Sequence, residues 1–203
     1  VTYGEKNEDN PGDGKILRIV DRVAAVSDLI DDRIRQVVWN KLYKRDLVQD
    51  IPFAKGKCHE DEFWSYQVLG RINRYAEIDY TGYFYFQRPE SIMGESYSLK
   101  RLDVLEAREE RQIYLKKHLP ELADKGQINL FFTCIYCGQL VLMHLNQADC
   151  RAAFERLKKT SKAWRLSRKQ KSMLKVTHHV WAQMAEISLG LVCRVRNALK
   201  VGV

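Results

Sequence analysis

The chain has 203 residues, 45% of them hydrophobic and 10% aromatic, with only four prolines, so it holds enough apolar material for a buried core and too much for a disordered segment. Its net charge of +8 is unevenly placed: residues 1–150 carry 21 Lys and Arg against 24 Asp and Glu, whereas residues 151–203 carry 13 against 2. A polyanionic partner therefore belongs at the C-terminal quarter. The five cysteines lack framework spacing and suit reduced thiols in a cytosolic setting.

In chain order, the polar stretch Val1–Gly14 reads as a loop or frayed end, with no secretory leader pattern in it. Lys15–Val20 predicts a strand, and Val23–Ile30 a helix with Asp31 and Asp32 as its solvated terminus. Val37-Val38-Trp39 reads as a short buried strand or helical turn. Beyond Pro52 and Gly56, Glu60–Ile72 has a helical period. Ala76–Tyr80 and Tyr83–Phe86 flank Thr81-Gly82 as the arms of a β-hairpin.

After Ser91 the pattern turns helical. Ser98 is placed to cap a helix over Leu99–His118, stopped by Pro120. Ala123–Asn146 is apolar almost all round, Asp149–Leu157 predicts a third helix, and Val180–Leu199 a fourth. Within the second of these, Ile128–Leu145 is broken by Thr133, Gly138, Gln139 and His144, which makes it a core helix rather than a membrane span. Its lone Cys134-x-x-Cys137 has no second pair to complete a zinc site, so both are expected to be buried thiols. The fold class expected is α+β, mostly helical: a small α/β piece with a hairpin over 1–95, then a helical extension over 96–203.

Three segments share one pattern. Val38-Trp39-Asn40-Lys41-Leu42-Tyr43-Lys44-Arg45 comes first, then Gly56-Lys57-Cys58-His59-Glu60-Asp61-Glu62-Phe63, then Tyr83-Phe84-Tyr85-Phe86-Gln87-Arg88-Pro89-Glu90-Ser91-Ile92-Met93. In order and spacing they resemble the W-N-K-L-Y, G-K-x-x-E-D-E-F and Y-Y-Y-R-Q-R-x-x-S-I-M segments of bacterial family 2 glycosyltransferases. The match covers roughly residues 36–119. The resemblance implies the acceptor side of a GT-A domain, in an enzyme that moves a sugar from a nucleotide-sugar donor to a glycan acceptor on a surface polysaccharide or lipid. It also implies a divalent metal, Mg or Mn, in the complete enzyme. The donor half of that family opens with an apolar strand and ends in an aspartate pair. Neither that strand nor a Gly-rich phosphate loop occurs here. This chain is accordingly expected to bind no metal and to be inactive alone.

The candidate site residues follow. Glu60-Asp61-Glu62 alone read as ordinary acidic first-turn residues. The resemblance makes Asp61 the base that takes the acceptor proton, with Glu60 holding the acceptor or steadying the loop. Arg88 is placed to compensate charge on the departing diphosphate, although Phe86 stands where the family commonly has a first Arg. Trp39 and Tyr43 are suited to stacking on a sugar ring, although Trp39, following two valines, is better suited to anchoring a core. His59 reads as an acceptor or metal contact, or as a surface-loop histidine. His178-His179 lacks an acidic neighbour.

Arg151–Lys175 holds ten Lys and Arg against Glu155 alone, interleaved with Leu157, Trp164, Leu166, Met173 and Leu174. With Trp181 in the next helix, this suits an anionic membrane surface, giving a peripheral place on the cytoplasmic face of the plasma membrane. A solvated bundle face is the plainer reading. The rival function is a non-catalytic basic helical module for membrane or nucleic acid, and no helix-turn-helix or RNA-reading signature favours the latter.

Overall fold

The computed structural model describes residues 13–83 and 97–202. The chain falls into two compact units, Val1–Lys55 with Glu60–Ser96, and Gly56–His59 with Tyr97–Val203. The class is α+β and mostly helical.

In the first unit, β1 (Lys15–Asp21) pairs antiparallel with β2 (Arg74–Asp79), running from Lys15 opposite Asp79 to Asp21 opposite Arg74, with an irregularity between Ile16 and Arg18. The strand β2 is the first arm of the expected hairpin. Most of the second arm, residues 84–86, lies outside the described residues. The helix α1 (Arg22–Ile30) follows β1 without a loop, because the Asp21 side chain accepts a hydrogen bond from Ala24 N at 2.8 Å and caps it. It buries Ala25, Val26, Leu29 and Ile30. Asp28 on the same face is buried and ionically held, by Arg18 at 2.6 Å and Arg33 at 3.3 Å. Arg18 also donates to Glu77 at 2.6 Å, so one guanidinium ties β1 to β2 and α1. Asp31 and Asp32 are exposed at the end of α1, where Asp31 pairs with Arg33 and Asp32 accepts from Gln36 Nε2 at 3.0 Å.

After the short helix α2 (Arg45–Val48), the unit is completed by α3 (Glu60–Leu69). Its Phe63, Trp64, Tyr66, Val68 and Leu69 are all buried, a surround of apolar groups that a one-faced surface helix would not have. Val37, Val38 and Trp39 are half-buried irregular chain rather than strand.

The second unit is a helical bundle. A 3₁₀ turn, Leu99–Leu102, leads into α4 (Asp103–His118). The side chain of Ser98 makes no capping bond, so the expected uninterrupted helix from Leu99 starts four residues late; Leu102, buried at 1% exposure, sits at the join. Pro120 ends the run as expected. Next come α5 (Ala123–His144), α6 (Gln147–Ala163), α7 (Arg168–Ser172), α8 (Val176–Ile187) and α9 (Leu189–Ala198). The expected single helix over Val180–Leu199 is two, because Ser188 adopts an extended backbone and its Oγ accepts from Leu191 N at 3.3 Å, starting α9 afresh. The short helix α7, which the sequence pattern did not predict, is fixed by a Ser167–Gln170 capping box.

The helix α5 is the axis, packed by α4, α6 and α9. The stretch Pro120–His144 is long and apolar enough to cross a membrane by length and composition, with mean hydropathy 1.3. In the bundle its Leu130, Phe131, Cys134, Ile135, Cys137 and Val141 are buried against neighbours. Its Gln139, fully buried, accepts from Arg196 Nε at 2.9 Å and donates to Asn197 Oδ1 at 3.0 Å and Val201 O at 2.9 Å. A buried amide satisfied on both ends by one neighbouring helix and its tail sets the register of α5 against α9. The piece Gly56–His59 is fastened to α4, with Lys57 Nζ 2.6 Å from Glu106 Oε2 and Cys58 N donating to Asp103 Oδ2 at 3.1 Å.

Candidate active site

The site candidates of the first unit converge on the start of α3. Asp61 lies in its first turn, half-buried, and its Oδ1 accepts from Glu62 N at 2.9 Å. A helix start leaves backbone N–H groups free to bind an acidic side chain. Glu60 beside it is exposed, whereas Glu62 points inward at 8% exposure. Three consecutive acids thus have three environments, and only the middle one is both anchored and reachable.

Lys41 and Tyr43 complete the neighbourhood. The Lys41 ammonium donates to Arg35 O at 2.5 Å, Val37 O at 2.7 Å and Asn40 Oδ1 at 2.7 Å. All three of its protons are committed, so it clamps the loop that carries Trp39. Burial pushes the Lys41 amine down to about 8, with the Asp61 charge opposing the shift. Burial likewise pushes the Tyr43 hydroxyl well above the usual phenol range, and the charges of Tyr75 and Asp61 add to it. The hydroxyl therefore stays protonated and remains a donor.

The aromatic residues form two pairs of walls. Trp39 stacks on Tyr83 with centroids 4.9 Å apart and planes at 28°. Trp64 meets Tyr43 edge-on at 5.0 Å and Phe53 face-on at 5.0 Å, while its Nε1 donates to Ile51 O at 2.9 Å. Trp64, Ile51 and Val68 form a small core of their own, on which Tyr43 rests. Tyr43 is therefore held edge-on by packing, and Trp39 is half-buried with its ring face taken by Tyr83.

Of the six candidates, Asp61 and Tyr43 share one electrostatic environment, Glu60 is the exposed neighbour of Asp61, and Trp39 belongs to the adjoining stack. Arg88 lies outside the described residues. His59, with φ at 59°, belongs to the segment fastened to α4 and is described with the second unit. Lys41, Tyr83, Phe53 and Trp64 had not been singled out. A signal for Lys41 was available: a lone lysine two residues from both Trp39 and Tyr43 is a cation placed among buried rings. Among the described residues no group of three or more His, Cys, Asp or Glu side chains converges to hold a metal ion.

A titration checks this arrangement. The Lys41 Cε resonance is expected to titrate with a midpoint near 8, far below an exposed lysine. The variant Asp61→Asn removes the charge that raises it and should move the midpoint lower still. Between about 8 and the ordinary value of 10.5, the unfolded chain binds more protons at Lys41 than the folded one, so this residue's contribution to stability grows as pH rises through that window. A midpoint in the ordinary lysine range would mean that the amine is hydrated and clamps nothing.

No protein-family model, curated protein or solved structure matches this chain.

The basic segment in the second unit is more internally paired than its composition implies. Arg156 lies 3.8 Å from Asp103 and 3.7 Å from Glu106, Arg165 and Lys171 bind Glu186 at 3.1 and 2.8 Å, and Lys169 binds Asp124 at 2.6 Å. The interleaved apolar residues turn inward. Leu157 and Leu166 are buried. The indole of Trp164 donates to Glu109 at 3.0 Å with Lys116 over its ring, and Trp181 packs on the core under Arg196. The two tryptophans expected on a membrane-facing side are thus structural.

Proposed function

We propose that the first unit is the acceptor-side part of an inverting family 2 glycosyltransferase, which in the complete enzyme moves a sugar from a nucleotide-sugar donor to a surface-polysaccharide or lipid-linked acceptor. The observation that carries this reading is the placement of Asp61: anchored at a helix start, reachable, and close enough to Lys41 and Tyr43 for its charge to act on both. The W-N-K-L-Y and E-D segments, twenty residues apart in the chain, meet at this point.

The chemistry follows from that carboxylate. The acceptor hydroxyl oxygen attacks the anomeric carbon, the bond from that carbon to the diphosphate oxygen breaks with its electron pair, and the hydroxyl proton passes to Asp61. The bond from Glu62 N holds the carboxylate in place at the helix start. Tyr43, protonated throughout, is a donor for an acceptor hydroxyl. The divalent metal of such a reaction is given no role on the described residues, among which no three His, Cys, Asp or Glu side chains converge.

The test is a screen of nucleotide sugars against the full reading frame that contains this chain, read as acceptor-dependent release of nucleoside diphosphate. Release that depends on Asp61 is the expected result. Release from no donor, in a folded preparation, would overturn the assignment.

A further inference from the structure

With Trp164 and Trp181 half-buried and engaged by Glu109 and Arg196, the most exposed apolar side chains of the second unit lie elsewhere. Along α8, Val176, Val180 and Ile187 are exposed at 81%, 45% and 85%, on the one helical face set by steps of four and seven residues. Three β-branched aliphatic side chains left to water on one stripe of an amphipathic helix need a partner. Ser188, the residue after Ile187, lines a depression of about 670 Å³ formed by the end of α5, by α6 and by α9. Leu145, Phe154 and Leu191 give this cleft an apolar floor, and Arg151, Lys158 and Arg194 bring cations to it.

Charge identifies the occupant. Lys158 is shared with Glu155 at 3.2 Å, the one acid in the cleft, while Arg151 and Arg194 make no ion pair with any described residue. Nor do Lys159, Lys162, Arg168, Lys175 and Lys200 of the same unit. Apolar lining beside unpaired guanidinium groups, in the same unit as an exposed aliphatic stripe, is complementary to molecules with a phosphate at one end and hydrocarbon at the other. We propose that the second unit docks on an anionic phospholipid bilayer, with the α8 stripe in the headgroup–acyl boundary and the Arg151–Arg194 cleft taking a lipid phosphate. This inference does not rest on glycosyl transfer and stands or falls separately from it.

The test uses the full chain and co-sedimentation with vesicles of phosphatidylcholine, alone or mixed with phosphatidylglycerol. Binding should be at least about tenfold stronger to the mixed vesicles and weaken as salt is raised. The triple variant V176S/V180S/I187S should lower that binding by about tenfold or more while leaving retention on double-stranded DNA unchanged, since only hydrocarbon rewards the stripe. The pair R151Q/R194Q should reduce the preference for mixed over neutral vesicles by about tenfold. Circular dichroism matching the parent confirms that each variant is folded. No sedimentation of the parent chain, parent-like binding by the triple variant, or equal loss of vesicle and DNA binding would overturn the proposal. So would full competition by millimolar inorganic phosphate, which would mark the cleft as an anion site without a bilayer.

Discussion

Asp61→Asn is expected to lower the turnover of the complete enzyme by on the order of 10²–10⁴ while changing donor affinity little. The amide has the shape of the carboxylate and can still accept from Glu62 N, so the first turn of α3 stays capped. What it loses is the ability to hold the acceptor proton as the new bond forms. The neighbouring Glu60→Gln serves as the internal comparison, because Glu60 is exposed and no hydrogen bond or ion pair from a described residue fixes it. Its effect should be at most about tenfold. Steady-state diphosphate release with saturating donor checks both. An Asp61→Asn enzyme that keeps more than about a tenth of parental turnover would return the acids to the plain role of charging a helix start.

The second large effect is structural and sets two neighbours on one helix against each other. Leu157→Ala should destabilise the second unit by about 2–5 kcal/mol, because a fully buried Leu leaves a cavity that α5 and α6 cannot close. Lys159→Ala, two residues on and exposed, should stay within about 0.5 kcal/mol. Urea unfolding followed by circular dichroism measures the pair. Similar shifts for both would mean that α6 is not seated as described. Overpacking gives a complementary probe: a Cβ at Gly138 would lie 2.6 Å from the sulfur of the fully buried Cys193, so Gly138→Val should cost about 1–3 kcal/mol.

Periodicity made the helices legible where one face or every face is buried. Val23–Ile30 and Ala123–Asn146 needed nothing but the spacing of Val, Leu and Ile, and the strand at Lys15 was visible from its β-branched run. The helix boundaries that failed were decided by single side chains. Ser98 had the composition of a cap and does not act as one, whereas Ser188 interrupts an apolar pattern that reads straight through it. Interleaving was a poor guide to facing in the basic segment, where Trp164 and Trp181 alternate with lysines and arginines yet turn inward. Partners distant in the chain make that choice, Glu109 for one and Arg196 for the other. At the candidate site, Asp61 and Tyr43 stood out through their motifs. Lys41 lies in the same motif, but its burial depends on how the 35–41 loop folds over its own ammonium.

Three thiols on the meeting faces of α5 and α9 have a practical consequence. Burial pushes Cys193 up to about 12 and Cys134 higher still, and Cys137 is buried beside them. Since alkylating reagents attack the thiolate, these positions are silent while the bundle is closed and react only when it opens. Half-buried Cys58 and Cys150 are less enclosed, although burial raises Cys150 as well and its Sγ donates to Val141 O at 3.2 Å, so it should label after Cys58. Mass spectrometry of a maleimide time course would therefore separate early label at those two from late label at Cys134, Cys137 and Cys193. The delay is a stopwatch for helix opening, already installed in the native chain.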